Sequence, residues 1–171
     1  MPISVATPPS VRGVTTALRA LVRAALALEG AMPGEIGIVL AGDPELRELN
    51  RRYRGIDRAT DVLSFGYEAH RGGTAEGLSR DPRASRHVYG DIVISLDRME
   101  EQARRYRVSR GKELARLAVH GVLHLAGLDH REPDERRHMR AREERTLRAG
   151  RAAIHDLESA IRSATPSARQ P

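Results

Sequence analysis

The stretch HGVLHLAGLDH, residues 120–130, decides how the rest of the chain is arranged. His120 and His124 stand four residues apart, so they share one face of a helix of about 3.6 residues per turn. The residues from Glu113 to Ala126 are mostly Glu, Leu, Ala and Arg, which favour helix, and none of them is proline. The sequence therefore predicts a helix that carries both imidazoles on the same side, and we expect this helix at the centre of the fold.

The end of the predicted helix introduces a third histidine. Gly127 stands where a helix ends in a left-handed residue, a conformation that glycine adopts without a steric penalty. The resulting reversal can carry His130 back toward His120 and His124. Three neutral imidazoles can hold one zinc ion and leave a fourth position open, which distinguishes a catalytic zinc site from a structural one. Because imidazole also suits nickel, copper and iron, zinc is the first choice among several divalent transition metals.

The composition limits the class of protein. The chain has 171 residues, enough for one domain with an ordinary hydrophobic core, and it has no cysteine. A metal ion must therefore be bound by His, Asp or Glu. No apolar run approaches the about 20 residues of a membrane span, and the first residues lack the basic and apolar regions of a secretory signal. We expect a cytoplasmic protein that makes no contact with a membrane.

Arginine carries almost all of the positive charge. The formal net charge is +6, and Lys112 is the single lysine. Codon usage can produce such a bias, so the charge alone is a weak indication of a nucleic-acid partner. A guanidinium nevertheless binds phosphate in a bidentate geometry that an ammonium cannot match. Aromatic residues make up 3% of the chain, which leaves few platforms for base stacking, so we expect recognition of backbone and shape.

The remaining hydrophobic periodicity predicts an α+β fold, in which a small mixed sheet of about four strands packs against helices. The predicted strands are residues 3–5, 35–41, 60–67 and 88–96. The predicted helices are residues 11–28, 43–53, 98–106, 113–126 and 133–161. The stretch from His70 to His87 lacks periodicity and is predicted to be an exposed loop. We expect one domain over residues 1–162 and a disordered tail over residues 163–171.

Two further motifs accompany the histidine stretch. The segment NRRYRG at residues 50–55 is followed by TDVLSF at residues 60–65, and GDIVIS occupies residues 90–95. Together with HGVLHLAGLDH and with Met139, these segments resemble the bacterial YbeY-type endoribonucleases, whose signatures are NxxYRG…TDVLSF, GDIVIS and HGxLHLxGxDH. The resemblance covers roughly residues 35–150, and the three motifs occur in the family's order.

What the resemblance implies is a metal-dependent endoribonuclease specific for single strands, acting in 16S rRNA 3′-end maturation and ribosome quality control. Its partners would be single-stranded rRNA and the small ribosomal subunit, with no DNA. The three histidines match the family's metal ligands, and Arg54 matches its functionally important arginine. The metal would activate water or assist phosphodiester cleavage, and Arg54 would stabilise the charge on phosphate. Gly66 and Leu128 stand where the family usually has Pro and Tyr. We expect these two differences to affect the loop conformation and the approach of the substrate, and not the metal ligands.

Two other functions stay open. A zinc peptidase of the metzincin type has the same histidine spacing, but its general base is a glutamate directly after the first histidine, where this chain has Gly121. A non-catalytic ribosome-assembly factor with a structural metal is the other alternative. A fourth protein ligand would favour the structural role, and an open coordination position would favour an enzyme.

Three polar residues near the motifs each have two interpretations. Asp129 either orients an imidazole or caps the turn before His130. Asp61 and Ser64, on the predicted strand 60–67, either face the site or pair with other loops.

Overall fold

The computed structural model describes residues 3–11, 13–67, 86–128 and 130–164. Within these residues the strands are β1 (Ile3–Ala6), β2 (Ala31–Ala41), β3 (Val62–Gly66) and β4 (Arg86–Ser95). The helices are α1 (Thr15–Leu28), α2 (Asp43–Arg54), α3 (Leu96–Tyr106), α4 (Arg110–Leu125), α5 (Pro133–Ala149) and α6 (Arg151–Ala164), with a short 3₁₀ turn at Pro9–Val11. This architecture confirms the predicted α+β class with its four-stranded sheet.

The sheet is mixed, with strand order β1-β2-β4-β3. β2 runs parallel to both β1 and β4, whereas β3 runs antiparallel to β4 and lies at the edge. A parallel pair requires a long crossover, and helices supply those crossovers in α/β chains. Helix α1 joins β1 to β2 in this way. The antiparallel edge strand β3 contacts helix α4 through Ser64.

Helix α4 lies at the centre of the larger of two hydrophobic clusters. This cluster includes Leu114, Leu117 and Val122 of α4 together with Ile38 of β2 and Ile92 of β4, all of them fully or almost fully buried. A smaller cluster around Leu46, Leu63 and Val93 covers the opposite face of the sheet. The removal of this apolar surface from water is the main force that fixes α4 against the sheet.

A glycine allows α4 to approach the sheet very closely. A Cβ atom at Gly121 would lie 2.6 Å from Cγ2 of Ile92 and 3.2 Å from Oγ of Ser64. The Ser64 hydroxyl also donates a hydrogen bond of 3.2 Å to the Gly121 carbonyl. The position after His120 therefore packs directly against strands β3 and β4, and it has no room for a side chain.

The prediction of one last helix over residues 133–161 is wrong, because the structure divides this stretch into α5 and α6 at Gly150. A Cβ atom at Gly150 would lie 2.5 Å from Cδ1 of Leu21, so the chain at this glycine rests closely on α1. Glycine also lowers helix propensity. The break lets α5 bury Met139 while α6 buries Leu157 and Ile161.

The boundaries of the predicted loop and of the predicted tail also differ from the structure. β4 begins at Arg86, so the last two residues of the predicted loop from His70 to His87 lie in a strand, and residues 68–85 lie outside the described residues. Helix α6 ends at Ala164, two residues into the predicted tail, and residues 165–171 lie outside the described residues. Among the helices that the structure describes, none has the length and apolar character needed to cross a membrane.

Candidate metal centre

The C-terminus of α4 reverses the chain through a left-handed glycine, as the sequence predicts. Gly127 has a φ of 95°, and its N–H donates to the His124 carbonyl at 2.9 Å. The N–H of Leu128 donates to the Leu123 carbonyl at 3.0 Å. This pair of bonds is the Schellman motif, which satisfies the last carbonyls of a helix. The chain then runs back past the end of α4 and delivers His130 to the other two imidazoles.

The three predicted histidines come together at this turn. The ring centroids of His120 and His124 are 4.7 Å apart, those of His124 and His130 are 4.8 Å apart, and those of His120 and His130 are 5.5 Å apart. One nitrogen of each ring lies within 4.8 Å of the corresponding nitrogens of the other two. Tetrahedral zinc places its nitrogen ligands about 3.3 Å apart. Small ring rotations would therefore give a zinc-binding geometry, so the residues present fit a metal ion.

A carboxylate from another helix contacts the first histidine. Oε1 of Glu143, on α5, lies 2.5 Å from Nδ1 of His120. The Glu143 side chain is 13% exposed and the His120 side chain is 21% exposed, so both are largely shielded from water. On the other side of the ring, Nε2 of His120 lies 3.1 Å from Nε2 of His124. The free nitrogen of His120 therefore faces the middle of the histidine cluster.

The sequence-based prediction did not include Glu143. The signal that could have revealed it is its spacing, because Glu143 follows Met139 by four residues and so shares its face of α5. Met139 is buried against α4, which places that face toward the site.

The histidines open onto a cleft of about 840 Å³ between the end of α2, strand β3 and the end of α4. We name it the histidine cleft; it is lined by Arg54, Ser64, His120, His124, His130 and Arg131, among others. Arg54 is the last residue of α2 and lies on the wall of this cleft. Among the residues that the structure describes, none forms a hydrogen bond or an ion pair with the Arg54 side chain. The cleft thus combines candidate metal ligands with a guanidinium whose donors are available.

The NRRYRG and TDVLSF segments connect the end of α2 to β3 and thereby place Arg54. Asn50 is buried, and its Nδ2 donates a hydrogen bond of 2.8 Å to the Arg58 carbonyl, which fixes the loop after the helix. Tyr53 packs edge-on against Phe65 of β3, with ring centroids 5.2 Å apart. Arg54 is therefore held beside the edge strand by contacts on both sides of it in the sequence.

Both interpretations of Asp61 and Ser64 hold in the structure, because each residue lines the cleft and also pairs with a neighbouring element. Asp61 lines the cleft, but its carboxylate accepts hydrogen bonds from the Val62 N–H at 2.8 Å and from Nε2 of Gln102 at 3.1 Å. Ser64 lines the cleft as well while its hydroxyl donates to the backbone of α4. Both side chains therefore pair with neighbouring elements at the border of the cleft. Asp129 lies outside the described residues.

A second arginine near the histidines, Arg116, lies on α4 one turn before His120. Nη2 of Arg116 donates to Oε1 of Glu113 at 2.7 Å and to Oε1 of Gln102 at 3.2 Å. Burial is the largest influence on the pKa of Arg116 and acts to lower it, but the hydrogen bond and charge of Glu113 and the charge of Glu143 outweigh burial and raise the pKa overall. Arg116 therefore remains cationic beside the pair of His120 and Glu143.

The geometry after His120 bears on the peptidase alternative. A metzincin-type base requires a glutamate at the position of Gly121, and the contact with Ile92 leaves no space there even for a Cβ atom. The chain therefore has glycine, and no room for a glutamate, at the position that would activate water for peptide hydrolysis in that class.

The fold and the site define an α+β protein in which three histidines could hold a metal ion at the base of a cleft that also contains an arginine. The family model described as Endoribonuclease YbeY matches residues 9–150 of this chain. The chain therefore belongs to this family, which confirms the resemblance recognised in the sequence.

Individual relatives agree with this assignment. A protein named Endoribonuclease YbeY from Roseiflexus sp. (strain RS-1) is 50% identical over 120 residues, which is 70% of this chain and 72% of the relative. A protein of the same name from Limosilactobacillus fermentum is 44% identical over 130 residues, or 75% of this chain and 82% of the relative. A solution structure of a Thermotoga maritima protein has a TM-score of 0.55 and 23% identity, with 98% of this chain and 99% of that chain covered, and shows the shared fold.

Proposed function

We propose that the chain is a metal-dependent endoribonuclease that cuts single-stranded RNA, with zinc held by His120, His124 and His130. The observation that carries this proposal is the convergence of the three imidazoles, with ring centroids 4.7 to 5.5 Å apart, in the same cleft as Arg54, whose side chain has no partner among the described residues. The relatives that share up to 50% identity with the chain are named as endoribonucleases, which supports RNA as the substrate class. The proposed nuclease domain spans residues 1–162.

The residues of the cleft have separate tasks in this proposal. A zinc ion, when bound, supplies a Lewis acid and lowers the pKa of a coordinated water. His120 and His124 hold their nitrogens in place because both rings project from the rigid, buried helix α4. His130 adds the third nitrogen from the turn. A site with three protein ligands keeps one position for water or substrate.

Arg54 acts on the phosphate in this proposal. Its guanidinium can donate two parallel N–H bonds to the non-bridging phosphate oxygens, a geometry for which arginine is suited. Negative charge on those oxygens grows toward the transition state of phosphodiester cleavage, so these bonds strengthen as the reaction proceeds. Because none of the described residues occupies the donors of Arg54, no internal ion pair has to be broken first.

The shape of the cleft supports an unpaired strand as substrate. The histidines line a recess of about 840 Å³ rather than an exposed ridge. An unpaired strand can turn one phosphodiester into such a recess, whereas an A-form duplex is presented as a regular surface and is recognised by its shape. The net charge of +6 favours association with a polyanion.

The cellular task belongs to the same proposal. We infer that the chain acts in the cytoplasm on the 3′ end of 16S rRNA and in ribosome quality control, with the small ribosomal subunit as its partner. The support for this inference is the set of motifs that the chain shares with the YbeY-type family, together with the match over residues 9–150.

The decisive experiment incubates metal-analysed protein with end-labelled single-stranded RNA and with the same sequence as a duplex. We expect internal cleavage of the single strand, little cleavage of the duplex, loss of activity after chelation, and recovery after zinc is added back. Cleavage that persists without any metal would overturn the metal-dependent mechanism. The chemical nature of the product ends identifies whether water or the neighbouring 2′-hydroxyl attacks the phosphate.

A further inference from the structure

We propose that Glu143 is a positioning residue that orients His120 for metal binding, an inference that rests on the metal site of the proposed function. Its Oε1 lies 2.5 Å from Nδ1 of His120. Both side chains are largely shielded from water, and a hydrogen bond in a region of low dielectric constant is stronger than one at the surface.

The contact determines which nitrogen of His120 is free. A carboxylate oxygen accepts the hydrogen bond in this contact, so an imidazole that carries a single proton holds it on Nδ1. The lone pair then lies on Nε2, which is 3.1 Å from Nε2 of His124. Glu143 therefore selects the tautomer of His120 that presents a lone pair to the centre of the cluster, and it fixes the rotation of the ring.

Helix α5 holds Glu143 rigidly in this position. Met139 precedes it by four residues and Thr146 follows it by three, so all three side chains share one face of the helix. Met139 and Thr146 are buried, which fixes the helix on both sides of Glu143. The three histidines come from α4 and the turn after it, whereas Glu143 comes from a different helix. The proposed site is therefore assembled by tertiary packing and not by the histidine stretch alone.

Removal of such a carboxylate is expected to weaken metal binding without abolishing it. Loss of a partner that orients a metal-binding histidine typically reduces metal affinity about 10- to 100-fold. We expect a loss in this range for Glu143→Ala. Glu143→Gln preserves size and one acceptor oxygen but removes the charge, so its loss should be smaller. Because Gln is nearly isosteric with Glu, this second variant remains informative if Glu143→Ala fails to fold.

The adjacent glutamate provides a matched control. The Glu144 side chain is 69% exposed and pairs with Arg148 on the surface of α5. Glu144→Ala and Glu144→Gln make the same chemical changes one residue away, on a face that points away from the histidines. Their zinc affinity should equal that of the unaltered chain.

The experiment measures the zinc dissociation constant of the metal-free full chain by competition with a chromophoric chelator. Thermal unfolding of each metal-free variant checks that it is folded. NMR of ¹⁵N-labelled imidazoles at a fixed neutral pH reports the tautomer of His120 independently of zinc and of RNA cleavage. We expect a proton on Nδ1 in the unaltered chain and in the Glu144 variants, and a mixture of tautomers in Glu143→Ala.

The outcomes separate this inference from the proposed function. If the Glu143 variants bind zinc as tightly as the unaltered chain, or if the tautomer of His120 does not change, the positioning role is wrong while the metal-dependent nuclease stands. If the unaltered chain binds no zinc, both are overturned. A graded loss of affinity from Gln to Ala, with Glu144 variants unchanged, supports the role of Glu143.

Discussion

Two hollows of similar size are lined in part by residues of helix α2, and of their described lining residues only those of one hollow include histidines. The α2 hollow, lined by Arg47, Arg51, Asp57 and Arg98 among others, encloses about 800 Å³, and the histidine cleft encloses about 840 Å³. In the α2 hollow, Arg47, Arg51 and Arg98 each lie against a carboxylate, with N–O distances of 2.7, 2.7 and 3.1 Å. In the histidine cleft, Arg54 has no such partner among the described residues.

In the proposed function, cavity volume and the number of arginines do not by themselves decide which hollow binds phosphate, because Arg58 also lines the α2 hollow without candidate metal ligands beside it. An arginine that already donates to a carboxylate must give up that partner before it binds phosphate, whereas none of the described residues occupies the donors of Arg54. The described lining residues of the α2 hollow also include no histidine. We therefore expect substitutions in the histidine cleft to change metal binding and RNA cleavage, and equivalent substitutions in the α2 hollow to change neither.

The largest effect is expected from removal of a candidate metal ligand. In His124→Ala only two imidazoles remain, so the ion loses the three-ligand set that a catalytic zinc site uses. Zinc content should fall from about one ion per chain to near zero, and RNA cleavage should fall to background. Metal analysis and the cleavage assay check both results. His138→Ala, which removes an exposed histidine of α5 that lines neither hollow, is the control; full zinc occupancy in His124→Ala would refute the ligand assignment.

The second-largest effect is expected on RNA cleavage when Arg54 is replaced, and Arg51, three residues earlier on α2, provides the comparison. Arg54→Ala should retain zinc and lower kcat/KM for single-stranded RNA by about 10²- to 10³-fold, because it removes a donor aimed at developing charge. Arg51→Ala should change kcat/KM by about twofold at most, since Arg51 is exposed and already paired with Glu48. Equal losses in the two variants would remove the functional distinction between the hollows.

A third, smaller effect concerns the close packing of α4 on the sheet, next to His120 and Ser64 of the histidine cleft. Gly121→Ala places a methyl group within about 2.6 Å of Ile92, so α4 must shift. We expect the free energy of unfolding to fall by about 1–3 kcal/mol, measured by urea denaturation of the metal-free protein. The α2 hollow, which α4 does not line, is the internal control, and the carboxyl pKa of Asp57 should not change there. An unchanged free energy of unfolding would show that the neighbouring atoms can move away from the added methyl group without cost.

The smallest effect lies in the α2 hollow itself. The hydrogen bond from Arg47 holds the pKa of the Asp57 carboxyl below its ordinary value. A lowered pKa in the folded state means that the pair stabilises the protein above the ordinary aspartate pKa of about 3.9, and that this contribution is lost as the pH falls through the lowered value. Arg47→Ala should raise the Asp57 pKa, as NMR titration of the carboxyl would show. Because both groups are exposed, the change in stability should be small and should fade with added salt.

The parts of the site that depend on local sequence could be predicted, and the parts that depend on distant contacts could not. The four-residue spacing of His120 and His124 and the reversal at Gly127 follow from helix geometry, so the sequence already brings His130 to them. Glu143 reaches His120 only because α5 packs across α4, and no short-range pattern specifies that crossing. The two interpretations of Asp61 could not be separated from sequence for the same reason.

The fold shows the same division between local and tertiary causes. Apolar and β-branched residues predicted all four strands, and most strand ends differ from the prediction by one or two residues. The exception is β2, which begins at Ala31, four residues before its predicted start. The break at Gly150 was missed because one glycine inside a helical pattern is often tolerated. At the break, Gly150 packs closely against Leu21, which lies more than a hundred residues earlier in the chain.

The division of the candidate ligands between a helix and a turn has a consequence for the order in which an ion would enter. His120 and His124 are partly buried on α4, whereas His130 is exposed on the segment that follows Leu128. Two candidate ligands are thus held in place by the helix, and the third lies on the solvent-exposed side of the site. An ion that enters or leaves from solvent would then meet His130 first, while the buried packing of α4 stays in place.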